Sequence, residues 1–198
     1  MDLTQQDVTN NAPIQQQVNV QSLTGNIEFS QLSRLGQRFK RLKEEVEKDI
    51  RYNAFIEDFI SYNTELDGKS MPDKLADGGF SQQEIARATY KKHQYSKKLE
   101  KNKLYETAQR IDLELFAMIN LKFETYVEPL IREGVEKRVI MESVTEKIVM
   151  PIFSLINQDG QDDTFLNYTV DHISGMIFFL TGKCHLNWAV YDSLQSSL

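Results

Sequence analysis

The run from Thr164 to Tyr191, TFLNYTVDHISGMIFFLTGKCHLNWAVY, restricts how this chain can fold more than any other stretch. Leu166, Val170, Ile173, Ile177, Leu180 and Cys184 recur at alternating steps of four and three, the period of a helix face turned toward other helices. Phe165, Thr169, His172, Met176 and Phe179 repeat that rhythm one residue earlier, so the apolar surface is wider than a surface helix needs. The pattern predicts a central, buried helix over about 164–181. Its longest uncharged apolar run, 173–182, is about half of what a bilayer crossing requires, so other helices rather than lipid are its expected surroundings.

A chain with four prolines, nine glycines and many Leu, Ile, Lys, Glu and Gln residues favours helix over strand, and the class that follows is all-α, as a multi-helix bundle. The 198 residues suffice for one medium-sized domain, or a domain plus a tail, burying about 70% of the unfolded surface. A net charge of −6 repels phosphate on average, so nucleic-acid binding requires a local basic patch. The single cysteine, Cys184, forms no internal disulfide, and no charged-then-apolar leader reads as a signal peptide. The expected compartment is the cytoplasm, without a membrane span.

Residues 1–29 form an arm, rich in Gln and Asn, that precedes a helical domain over 30–198. Val18 and Val20 alternate with polar residues ahead of the turn signal Thr24-Gly25-Asn26, so the arm is either a disordered tail or a short strand that needs a partner's edge. From Ser30, Leu32, Leu35, Phe39, Leu42, Val46 and Ile50 share a helix face, which then slips, so the helix either bends near Tyr52-Asn53 or broadens its contact to about Tyr62. A connector with one short helical turn near Pro72–Leu75 leads to Ser81-Gln82-Gln83-Glu84, a capping box. No breaker follows until about Val127, so the pattern predicts one long helix over about 82–127, roughly 65 Å at 1.5 Å per residue. Pro129 suits the first turn of a short segment that Gly134 would end. A helix over about 136–155 carries Pro151 inside it, which predicts a kink or fresh start near Met150.

Few residues suggest chemistry. The acidic turn Asp159-Gly160-Gln161-Asp162-Asp163 lacks the alternating donors and closing glutamate of a calcium loop, and reads as a cap for the helix expected to start near Thr164. Cys184, His185 and His172 are not joined by the second Cys or His pair that a zinc site needs. Cys184 reads as a small hydrophobe on the apolar stripe, and Thr181-Gly182 as a tight junction, ended by a left-handed residue, to a further helix. No glycine-rich phosphate loop is present. Catalytic residues, cofactors and metals are therefore not expected. Lys91, Lys92, Lys97, Lys98, Lys101 and Lys103 crowd into thirteen residues against one acid, Glu100. They suit a solvated stalk, contacts to DNA phosphates, or an acidic protein partner.

The segment Gly175-Met-Ile-Phe-Phe-Leu-Thr-Gly-Lys-Cys-His-Leu-Asn-Trp188 resembles the closing motif, G-hydrophobic-LTG-x-CH-hydrophobic-x-W, of C-terminal domains in bacterial three-component ABC-ATPase conflict systems. Lys74-Leu-Ala-Asp-Gly-Gly-Phe-Ser81 and Lys103-Leu-Tyr-Glu-Thr-Ala-Gln-Arg-Ile111 are similar to the same domains, and Leu23-Thr-Gly-Asn26 to their arm. The likeness covers about 60–190. It implies a system in which an SMC- or Rad50-like ATPase works with a small middle subunit and an effector, often a nuclease, joined through such a domain. This chain has no room for an effector ahead of its helical part, so the resemblance implies a free-standing docking or accessory subunit in antiphage or anti-plasmid defence. Its expected contact residues are Val18, Val20 and Leu23 in the arm and His185, Trp188 and Tyr191 at the other end. The alternative is a helical DNA-binding protein using Lys91 to Lys103.

Overall fold

The computed structural model describes residues 32–52, 54–64 and 68–190, all within one compact unit. The arm, with Val18, Val20 and Leu23, lies outside the described residues, as does Tyr191. Every regular element described is helical: α1 Arg34–Glu47, α2 Glu57–Asn63, α3 Met71–Asp77, α4 Gln82–Asn102, α5 Glu106–Tyr126, α6 Glu128–Arg132, α7 Lys137–Ser143, a π-helical turn Val144–Val149, α8 Met150–Asp159 and α9 Val170–Gly182. The all-α expectation is met, with a buried C-terminal helix at its centre.

Local signals act where the sequence places them. Ser81 caps α4 through the N–H of Glu84 at 3.3 Å, and the Glu84 carboxylate returns to the Ser81 N–H at 2.7 Å. Pro129 stands in the first turn of α6, and Gly134 follows that helix at φ +66°. Pro151 lacks an N–H and leaves the Lys147 carbonyl without its usual partner, and here the chain widens into the π turn before α8 starts at Met150.

Three expectations are corrected. The single helix over 82–127 is two helices, α4 and α5, parted at Lys103–Tyr105. Nothing in that stretch forbids a helix; distant groups bind the backbone that the break exposes. The Leu104 carbonyl accepts from the Tyr52 N–H at 2.7 Å, and the Lys103 carbonyl from Gln109 Nε2 at 3.0 Å. At the start of α5, buried Glu45 of α1 accepts from the Thr107 N–H at 3.1 Å and its hydroxyl at 2.6 Å. That carboxylate sits on free amides at the positive end of a helix. Gln109 also holds the chain between α1 and α2, accepting from the Ile56 N–H and donating to the Ala54 carbonyl, each at 2.8 Å. The helix, expected either to bend near Tyr52 or to broaden its contact, instead ends at Glu47, with Asp49 following at φ +50°, and the next helix starts at Glu57.

The C-terminal helix also starts later than Thr164. The Asp163 carboxylate draws in the N–H groups of Phe165, Leu166 and Asn167 at 3.0, 2.9 and 2.7 Å, which curls the chain into a turn with Asn167 at φ +41°. Thr169 then caps α9. Its hydroxyl accepts from the His172 N–H at 3.3 Å, and His172 Nδ1 accepts from the Thr169 N–H at 3.2 Å, in the place a glutamate usually fills.

Once formed, α9 lies along α4. Phe116 of α5 stacks on Phe179 of α9 with centroids 5.6 Å apart, and Tyr95 of α4 meets both rings edge-on at 5.9 and 5.6 Å. Phe59 of α2 reaches Phe116 at 5.7 Å. Such pairs add about 0.5–1.5 kcal/mol each beyond the area they bury. The lysine-bearing helix is thus a wall of the core: Ile85, Ala88, Tyr95 and Leu99 face inward.

Candidate functional site

Much of the closing motif lies inside the core, including Gly175, Leu180, Thr181, Gly182, Leu186 and Trp188, while Lys183, Cys184 and His185 are half-buried. Trp188 is 3% exposed. Its ring meets Phe80 and Phe123 edge-on at 5.1 Å each, and its indole N–H donates to Thr181 Oγ1 at 2.9 Å. Gly78, at the end of α3, leaves room for it: a side chain there would stand 2.7 Å from Trp188 Cβ and 2.8 Å from its carbonyl oxygen. The stretches Lys74–Ser81 and Gly175–Trp188, distant in sequence, are therefore two halves of one joint. Trp188, expected as an outward contact, is instead an anchor of the fold.

The junction after α9 differs from its expected form. Gly182 ends the helix beside Lys92, whose Nζ would be 2.6 Å from any added Cβ, and the left-handed residue is Cys184, at φ +71°. No second helix follows within the described residues. Cys184 is half-buried at this turn and not on the helical stripe. His185 is half-buried with its ring 4.9 Å from Tyr62. Burial and the nearby Lys74 ammonium hold its pKa below the usual imidazole value, against hydrogen bonds to the backbone of Tyr62 and Ser61. Among the described residues, no group of three or more His, Cys, Asp or Glu side chains is placed to hold a metal ion.

A buried polar cluster closes the gap between α4, α5 and the turn before α9. Asp112, fully buried, accepts from the Tyr168 hydroxyl and from Asn102 Nδ2, the latter at 2.8 Å. Asn102 Nδ2 also donates to Tyr168 Oη at 2.5 Å. The Tyr95 hydroxyl faces the same carboxylate and favours its charged form, though its geometry falls short of a hydrogen bond. Lys98 stands nearby, donating to the Phe165 carbonyl at 3.3 Å. Burial raises the Asp112 carboxyl from the ordinary range to about 7, against these hydrogen bonds and the Lys98 charge. Sequence patterning missed this cluster, although an aspartate beside Ile111 within the Ala108–Leu115 apolar stripe was the available signal.

The cluster makes stability depend on pH. The folded protein holds the Asp112 proton more tightly than the unfolded chain, so this group stabilises the fold fully below a pH of about 4 and progressively less as the pH rises through about 7. In Asp112→Asn the new amide can donate to Asn102 Oδ1, which lacks a partner among the described residues, after the Asn102 amide turns over. Urea denaturation is expected to give this variant a smaller loss of stability between those pH values than the native chain, by roughly 2–4 kcal/mol. Parallel profiles for the two proteins would refute the assignment.

The six lysines do not act as one patch. Lys91 pairs with Asp171 at 3.0 Å, Lys98 bonds the Phe165 carbonyl, Lys103 pairs with Glu100, and Lys92 lies against Gly182. Lys97 and Lys101 remain exposed. A separate open groove of about 680 Å³ lies where α4 begins beside α7 and the π turn, with Lys137, Met141 and Glu146 in its lining. Its charges are largely matched within the chain: Lys137 pairs with Glu84 at 2.7 Å, holding that carboxyl down to about 2 together with bonds from Ser81, and Arg138 pairs with Glu142 at 2.7 Å. No histidine or cysteine lines it. No described helix is long and apolar enough to cross a membrane.

A family model described as C-terminal domain 9 of the ABC-three component (ABC-3C) systems matches residues 70–188, from the start of α3 to the tryptophan in the joint. No curated protein and no solved structure matches the chain.

Proposed function

Because this chain belongs to the C-terminal domain 9 family of the ABC-three component systems, we propose that it is a non-enzymatic docking subunit of such a system. It binds the SMC- or Rad50-like ATPase, the effector, or both, and serves in antiphage or anti-plasmid defence in the cytoplasm. One observation carries this reading: the motif's most constrained residues are spent on internal packing, with Phe80, Thr181 and Trp188 joined in the core and Gly78 closing on Trp188. A motif used in that way specifies a shape, and a shape is what a docking domain offers.

Partners would meet the outer surfaces, since Trp188 is covered and His185 half-covered. Coexpression of the full chain with the ATPase of its own system, followed by size-exclusion chromatography, tests the proposal. Co-elution of the two at a fixed ratio is expected. Separate elution from both the ATPase and the effector, with every component folded, would overturn it.

A further inference from the structure

The outer face of α4 carries a ridge that the internal packing leaves unused. Gln83, Arg87, Tyr90, Gln94, Lys97 and Lys101 follow one another at steps of three and four, so they line one side of the helix. Arg87, Lys97 and Lys101 are exposed and, among the described residues, make no ion pair. The acids on α4 are committed elsewhere, Glu84 to Lys137 and Glu100 to Lys103. Between Arg87 and the two lysines stands Tyr90, 64% exposed.

We propose that this ridge binds a single nucleic-acid strand, with Arg87, Lys97 and Lys101 on its phosphates and Tyr90 stacked on a base. The ridge from Arg87 to Lys101 is about 21 Å long at 1.5 Å per residue, enough for several successive phosphates. It is also rigid, because the opposite face of α4 is core: Tyr95 is fully buried, and Gly175 of α9 packs on the α4 backbone at Lys91. A helix held in that way loses little freedom when its cations are engaged. The net charge of −6 opposes any general attraction of a polyanion to the chain, so contact depends on a local line of cations such as this one. Tyr90 selects nucleic acid over an acidic protein. An exposed aromatic ring among cations is the platform on which unpaired bases stack, and an acidic peptide has no need of it.

The test uses the full chain, with fluorescence anisotropy on a labelled strand of about 30 nucleotides, on the matching duplex and on polyglutamate. Salt is varied from about 50 to about 200 mM. For the single strand, log affinity is expected to fall against log salt with a slope of about −2, from three phosphate contacts. Arg87→Gln/Lys97→Gln/Lys101→Gln is expected to weaken binding at least about tenfold and bring the slope near zero. Tyr90→Ala is expected to weaken it by a factor on the order of ten or more while keeping the slope. Arg34→Gln/Lys40→Gln/Lys43→Gln on α1 removes the same charge from other exposed positions and is expected to bind as the native chain does. No single-strand binding by the native chain overturns the proposal. So does equal weakening in the two triple variants, an unchanged Tyr90→Ala, or affinity confined to the duplex or to polyglutamate.

Discussion

Trp188→Ala is expected to lower the free energy of unfolding by about 4 kcal/mol, the usual cost of emptying a site filled by a buried aromatic ring. The ring is 3% exposed and packs edge-on with both Phe80 and Phe123. Truncation also leaves Thr181 Oγ1 without the indole N–H it accepts. Trp188→Phe keeps most of the packing and drops that bond, so its expected cost is about 1–2 kcal/mol. Chemical denaturation followed by circular dichroism measures both, since this is the only tryptophan and neither variant retains its fluorescence. A loss below about 1 kcal/mol for the alanine variant would mean that the joint does not contribute to holding α3, α5 and α9 together.

Gly175→Ala is expected to destabilise by about 2 kcal/mol, although helix propensity argues the other way. Alanine in place of a mid-helix glycine favours the helix by about 1 kcal/mol. The added methyl would, however, collide with the Lys91 carbonyl and stand 2.8 Å from Tyr95 Cβ. Both are parts of α4 that the core holds, and overpacking of that kind costs about 1–3 kcal/mol or more, so the collision outweighs the propensity. Gly36→Ala in α1 supplies the contrast. Its methyl would meet Ser33 Oγ at 3.4 Å and Leu32 Cβ at 3.6 Å, ordinary contacts, and the substitution is expected to be neutral or stabilising by up to about 1 kcal/mol. Were both glycine variants to stabilise, α4 and α9 could not be in backbone contact at Gly175.

What could be read from the sequence was whatever a few neighbouring residues decide. The Ser81–Glu84 cap, the interruption before Pro151 and the burial of the last helix are local or periodic features, and each is present. Failures arose where a partner far along the chain decides. No pattern within 100–106 announces that Tyr52, Gln109 and Glu45 will take up the backbone groups of a break. The Asp163 turn displaces the start of α9 because one carboxylate outcompetes the first helical turn for three N–H groups. At the candidate site, the sequence singled out Trp188 but not its direction, since a lone tryptophan suits a core and an interface equally. The lysines concealed the apolar stripe from Ile85 to Leu99, so a wall of the core resembled a stalk. Tyr90 and Arg87 gained interest only once that stripe fixed which side of α4 faces outward.

The pairing of α4 with α9 has a consequence for synthesis. A helix around residue 91 must wait for one around residue 175, so the part of its apolar face that α9 covers stays open through translation of nearly half the chain. Completion of the core is delayed until the stretch ending at Trp188 has left the ribosome, and nascent chains stalled short of it present Tyr95, Leu99 and Phe116 to chaperones and to one another.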